Sequence, residues 1–302
     1  MIIKIRPQSP YNFELSAIIF SDGDPQIQKY ENGIYWQVIN INEHLFLIEV
    51  QSLGSVDEPE LSVNIKPDNE LSKGDMELVR DEVISIFNLD SNLKDFYDYI
   101  KNENVLSKLI LKLKGLNSPT TPTFFEAIVT SIIEQQISLK AARSIETKMV
   151  KKYGEKLKIE TKTYYLFPTP ETISKLKKED LRDVGLSFRK AEYVIGLSKN
   201  IKEGKIDLNS LKTQETSEII QQLMKIRGIG VWTAELAVIR GLHRMVALPA
   251  DDIGLRRVVS HYYTDGKPIT SHQLRTIAKN WGNWSGLVVF YLIIADLMSI
   301  KI

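Results

Sequence analysis

The stretch LMKIRGIGVWTAELAVIRG, residues 223–241, places Gly-Ile-Gly between an apolar turn and an apolar-periodic segment, with Trp232 two residues after the second glycine. Paired glycines where a helix begins either make a tight turn or let another molecule approach the backbone closely. The runs IIQQLMKI and VWTAELAVIRG on either side both have helical spacing, so the stretch reads as helix, tight hairpin, helix over about 219–241. The amides of Gly228 and Gly230 then lie at the N-terminus of the second helix, where unpaired N–H groups and the helix dipole favour an anion. Gly-x-Gly alone fits a tight corner between packed helices equally well.

The remaining sequence narrows the choice. The chain has 302 residues, 43% hydrophobic and 25% charged, as soluble globular proteins do, with room for one large domain or two to three smaller ones. No apolar run approaches the ~18–20 residues needed to span a bilayer. The opening MIIKIRPQSP lacks the apolar segment and cleavage site of a signal peptide. The expected location is the cytoplasm, with no membrane partner. Cysteine is absent, which removes disulfides, thiol catalysis, iron–sulfur clusters and cysteine-ligated zinc. His44, His243, His261 and His272 show no close metal-ligand spacing, so no transition-metal cofactor is expected.

The net charge of +1 hides a division. Residues 1–90 carry 6 Lys+Arg against 16 Asp+Glu, and the rest carries 33 against 22. An anionic partner would therefore meet the C-terminal two thirds. The texture divides at the same place. IYWQVIN, HLFLIEVQS and ELSVNIK read as strands separated by turn clusters, followed by a helix in DMELVRDEVISIFNL. From residue 91 helices alternate with short polar breaks. One of them, TPTFFEAIVTSIIEQQISLKAARSIETKMVKKYG, reads as a long helix or a helix pair ending at Gly154. The expected fold is α+β, with an N-terminal antiparallel-sheet domain over 1–90 and an all-α unit over 91–302.

Leu223 and Ile226 before the glycine pair and Thr233-Ala234 after it repeat the pattern of a helix–hairpin–helix motif. Together with FFEAIVTSIIEQQISLKAA, FPTPETI…LRDVGLSFRKAEYVIGLSKNI and ALPADDIGLRRVV, in this order, the segment from about 120 to 295 resembles the helix–hairpin–helix DNA glycosylases, specifically the AlkA-like 3-methyladenine DNA glycosylase II group. The resemblance implies a base-excision enzyme acting on double-stranded DNA containing damaged bases. It implies a monomer that works without a cofactor. Read without the resemblance, the hairpin also fits a DNA-binding protein with no catalysis, and the pocket also fits a glycosylase for deaminated or oxidised purines.

LPADDIGLRRVV puts two acids at the start of a helix, after a proline-fixed turn. An N-cap aspartate with a neighbour is a common structural pattern. The resemblance assigns the catalytic role to Asp252, through its spacing from Leu255, Arg257 and Trp232; Asp251 would cap or orient. In relatives that also cut the DNA backbone, a lysine stands two residues after the last hairpin glycine. Trp232 holds that position here, which implies a glycosylase without lyase activity. By the same resemblance Trp232, Leu236, Tyr291 and Ile293 form the base pocket, with Phe290 beside them. Leu236 and Ile293 replace aromatic residues of the group. Gln136 takes the place of the residue that fills the space left by the extruded base, a leucine in the best-known members. Gly228, Gly230 and Thr233 meet the DNA backbone. The carbonyls of Met224, Ile226 and Ile229 hold a monovalent cation.

Overall fold

The computed structural model describes residues 1–67 and 71–302. Five strands come first: β1 (Ile2–Ile5), β2 (Gln28–Glu31), β3 (Ile34–Ile41), β4 (His44–Ser52) and β5 (Leu61–Lys66), with the short helix α1 (Phe13–Ala17) between the first two. They form one antiparallel sheet in the order β1-β5-β4-β3-β2, with Val38 opposite Leu47 and Val50 opposite Val63. Alternate residues Phe46, Ile48 and Val50 of β4 and Leu61, Val63 and Ile65 of β5 are buried against α2 (Lys73–Phe87). They share one face by the period-two alternation of a strand, and Leu47 and Ser62 on the other face are buried as well. A reciprocal capping box between Ser72 and Asp75 starts α2, and Asn88 in the left-handed region ends it.

Helices follow: α3 (Leu93–Ile100), α4 (Leu106–Lys112), α5 (Phe124–Glu134) and α6 (Leu139–Tyr153). A hairpin of β6 (Lys156–Ile159) and β7 (Lys162–Tyr165) interrupts them, so residues 91–302 are not all helical as the sequence reading held. Its signal was the alternation of KLKI before Glu160, whose positive φ of 53° makes the turn, and the β-forming Thr and Tyr of KTYY after it. The hairpin ties back to the N-terminal unit, since Tyr165 N–H donates to the Gln26 carbonyl at 2.8 Å. Beyond it lie α7 (Pro170–Ser174), α8 (Lys178–Asp183), α9 (Phe188–Lys202), α10 (Leu208–Leu211), α11 (Thr216–Met224) and α12 (Val231–Leu242). The chain closes with α13 (Ile253–Tyr263), α14 (Ser271–Ala278) and α15 (Ser285–Leu297). Among the described residues no helix is long and apolar enough to cross a membrane.

The buried apolar residues gather in three clusters. One lies between the sheet and α2. A second is built on α5, α9, α11 and α12, and a third on α3, α4, α13, α14 and α15. The segment 91–302 thus has two cores, with Ile239 of α12 packed against both. Helix α5 is the centre of the second core, and every residue from Phe124 to Ile133 is buried. It packs against α12, with Gly241 against Phe124 and Ala127 at one end and Gln135 against Thr233 at the other.

Gly241 is the point of closest approach. A Cβ there would lie 2.7 Å from the Phe124 ring and 2.8 Å from the Ala127 Cβ. Gly241→Ala is expected to lower stability by about 1–3 kcal/mol through overpacking, despite alanine's better helix propensity. Urea denaturation checks this; an unchanged midpoint would mean the two helices can separate freely.

Candidate active site and nucleic-acid interface

A cleft of about 1780 Å³ opens between α5, α6, α12, α13 and α15, with residues 19–28 of the N-terminal unit forming a further wall. Ion pairs of Asp24 with Lys151 at 2.7 Å and of Asp22 with Arg143 at 3.2 Å fasten that wall to α6.

Asp252 is the N-cap of α13, and the cleft reaches it. Its Oδ1 accepts the Leu255 N–H at 2.8 Å, and its Oδ2 accepts the Trp232 indole N–H at 3.1 Å. Both oxygens are held, one by a helix N-terminus and one by a side chain from α12. This fixes the carboxylate's plane. Asp251 is exposed on the cleft rim, within electrostatic reach of Glu235, which is buried and paired with Arg275 at 3.0 Å. Burial pushes the Glu235 carboxyl up to about 6, against the pull of Arg275. Arg257 lies on the rim, paired with Asp296 at 2.8 Å.

Trp232, Leu236 and Arg240 follow one another at four-residue spacing on α12 and face the cleft. On α5, Glu126, Thr130 and Glu134 do the same. The Arg240–Glu134 bridge at 2.7 Å joins the two stripes. These α5 residues and Arg240 escaped the sequence reading. The available signal was the spacing of 126, 130 and 134 as polar positions four apart in a helix whose other residues, Ser131 excepted, are apolar. Glu126 is 8% exposed, and burial, reinforced by Glu146, raises its carboxyl to about 8. This wall therefore carries, about two helical turns from the ionic pair, an acid that holds its proton more tightly than usual.

Ile293 and Phe290 line the cleft from α15, as do Gly286, Val289 and Leu297. Tyr291 does not. It is fully buried, its hydroxyl donating to the Leu116 carbonyl at 2.8 Å and lying 3.0 Å from the Tyr97 hydroxyl. One residue along a helix turns a side chain by about 100°, which takes Tyr291 off the 286–290–293–297 stripe.

At the hairpin the two glycines differ. Gly228 has φ +95°, and a Cβ would strike the Tyr193 ring at 2.2 Å, so the fold itself demands glycine there. Gly230 is the N-cap of α12, no side chain caps the helix, and a Cβ would meet nothing within 4 Å. The open helix end suits an anion. The Thr233 side chain, expected at the DNA backbone, is turned inward instead. The residue is 2% exposed, and its hydroxyl accepts a hydrogen bond from Gln135 at 2.9 Å. The carbonyls of Met224, Ile226 and Ile229 belong to the same turn, and that of Ile226 already accepts the Ile229 N–H at 3.1 Å. Neutral main-chain oxygens are a donor set suited to a hard monovalent cation, as site chemistry requires. Among the described residues no group of three or more His, Cys, Asp or Glu is arranged to hold a metal.

Gln136 stands between α5 and α6, exposed, with φ +56°. A side chain in that region costs about 1 kcal/mol over glycine. Ile137 and Leu139 beside it are 38% and 52% exposed, an unusual display of apolar surface next to a cleft.

Comparison with known proteins agrees with this geometry. Residues 129–283 match the model of the HhH-GPD superfamily base excision DNA repair protein. The DNA-3-methyladenine glycosylase of Bacillus subtilis is 30% identical over 266 residues, 87% of this chain and 86% of that one. The 3-methyladenine DNA glycosylase of Archaeoglobus fulgidus superposes with a TM-score of 0.86 over 98% of this chain and 99% of that one, at 28% identity. An 8-oxoguanine glycosylase/lyase of Clostridium acetobutylicum in complex with double-stranded DNA gives 0.76 over 99% of each chain; at 19% identity this likeness is one of fold. The chain belongs to the HhH-GPD superfamily of base excision DNA repair proteins.

Proposed function

We propose that this protein is a monofunctional DNA glycosylase that removes N-alkylated purines from duplex DNA and leaves an abasic site. The observation that carries the reading is Asp252, held at both oxygens on the wall of a cleft beside an open helix N-terminus. The names of the relatives support the choice of alkylated purines. The hairpin around Gly230 grips a phosphate, and Met224, Ile226 and Ile229 are the residues that would hold a monovalent cation, which would add positive charge for that phosphate. The target base leaves the stack at a cost of a few kcal/mol, and Gln136 fills the space behind it.

As the N-glycosidic bond breaks, positive charge builds on the deoxyribose. Asp252 stabilises that charge and can accept a proton from the water that attacks C1′. A base already carrying positive charge leaves more easily and stacks better on the Trp232 ring. Trp232 thus has two tasks, because its ring faces the cleft while its N–H holds the carboxylate.

On a panel of duplexes carrying N3-methyladenine, N7-methylguanine, hypoxanthine or 8-oxoguanine, the two methylated purines are expected to be released fastest, scored as abasic sites after alkali. Asp252→Asn should slow release at least about 10²–10³-fold, the cost of losing one such electrostatic group. Asparagine still caps α13, so stability and affinity for an abasic-site analogue should persist. Fastest release of 8-oxoguanine or hypoxanthine would move the protein to the oxidised- or deaminated-purine class.

Borohydride should trap no covalent adduct with DNA. Lys190 is the one lysine lining the cleft among the described residues, and its ammonium is engaged by the Ile133 and Gln135 carbonyls at 2.7 and 2.6 Å. An adduct at Lys190 would overturn the monofunctional assignment.

Trp232→Phe separates the two tasks of the indole. Losing a hydrogen bond to a charged group, about 1.5–3 kcal/mol, should slow release of cationic and neutral lesions alike. Trp232→Ala should add a loss of about 0.5–2 kcal/mol confined to the cationic ones. Single-turnover rates on N7-methylguanine and hypoxanthine decide this, and a Phe variant as fast as the parent would show that the N–H does not position Asp252.

A further inference from the structure

The end of α5 is fastened in a way that the excision chemistry leaves unexplained. Gln135 is its C-cap, and the Gln135 side-chain amide reaches across to α12, where Nε2 donates to the Gly228 carbonyl at 2.8 Å and to the Thr233 hydroxyl at 2.9 Å. Both partners belong to the hairpin segment: one is the glycine that makes its turn, the other lies in the first turn of the helix it opens. From the other side Lys190 of α9 donates to the carbonyls of Ile133 and Gln135. The next residue is Gln136, exposed and held at φ +56° with no glycine to ease it. A left-handed glutamine keeps that conformation only where its surroundings over-determine it, and Gln135 with Lys190 supplies the restraint.

We infer that Gln135 is a positioning residue that links the phosphate-gripping hairpin to the DNA-entering loop, so that seating the hairpin on a phosphate also sets Gln136 in register with the base stack. The inference rests on the proposed glycosylase reading and extends it. Gln135 lines the cleft, but both of its amide bonds go to the hairpin segment, and its effect passes through Gln136. Two short hydrogen bonds of one amide hold two segments that are 93 and 98 residues apart in the chain. Loss of the amide would leave each segment folded, Gly228 by its packing on Tyr193 and α5 by its burial, while freeing the angle between them.

The test uses the whole protein and a duplex with a tetrahydrofuran abasic analogue opposite 2-aminopurine, whose fluorescence rises when the orphan base is unstacked. Gln135→Met keeps the length of the side chain and removes the amide. The parent should give a rise, and Gln136→Ala should reduce it. Gln135→Met should reduce it by about fivefold or more, the scale of a lost hydrogen-bonded restraint, with affinity for undamaged duplex changed less than about twofold. Gln135→Met/Gln136→Ala should fall no further than Gln136→Ala alone, because residues acting through one another are not additive. Additive losses, no rise in the parent, an unchanged rise in Gln135→Met, or a loss of undamaged-duplex affinity that accounts for the whole effect would each overturn the inference. Release of methylated purines is scored separately. Failure there with the non-additive fluorescence intact would reject the alkylpurine reading and leave the linkage standing.

Discussion

The packing of α5 against α12 is the constraint on which the rest of the molecule depends. At one end there is no room even for a methyl group at Gly241, and at the other Gln135 bonds across to Gly228 and Thr233. Fixing both ends sets the two helices antiparallel and aligns the stripe of Trp232, Leu236 and Arg240 with that of Thr130 and Glu134. Because α12 starts at the hairpin and α5 ends at the Gln136 loop, the same packing places hairpin and loop side by side. The sheet domain adds a wall, fastened to α6 and to the β6–β7 hairpin by ion pairs and one backbone bond.

The charges on the cleft wall follow a common logic. Asp252 accepts a hydrogen bond at each oxygen, one from a helix N-terminus and one from an indole N–H. Glu134 is matched by Arg240 at 2.7 Å, while Glu126, buried and with no cation paired to it among the described residues, holds its proton more tightly. Around Asp252 the rim is mixed: Asp251 and the Arg257–Asp296 pair share it with Ile253 and Leu297, which are 77% and 58% exposed.

Much of this was legible from sequence where a local rule applied. Gly-Ile-Gly between two helical periods located the hairpin, and the proline-led acid pair located the start of α13. The buried helix in FFEAIVTSIIE was visible as an apolar run after a Thr cap, and Thr123 does accept the Glu126 N–H at 3.1 Å. What failed was orientation. Tyr291 and Phe290 are neighbours in sequence, but only three-dimensional packing decides which of them faces the cleft. Thr233 sits in a motif whose backbone suits a phosphate, yet its side chain faces α5 because Gln135 needs an acceptor there. The role of Gln135 had no signal at all, since the bond it makes spans more than ninety residues. The β6–β7 hairpin is two four-residue strands, too short for a periodicity to stand out among the helices around it.

The central claim is that Asp252 is poised for a positive charge at the sugar carbon. It is tested most directly by comparing the affinity of the protein for two duplexes that differ only at one abasic site, one carrying a cationic pyrrolidine in place of the sugar and the other a neutral tetrahydrofuran. The account predicts that the cationic site binds at least about tenfold tighter, as an ion pair in a partly desolvated site should, and that the preference disappears in Asp252→Asn. Equal affinity for the two duplexes, or a preference that survives the substitution, would contradict it.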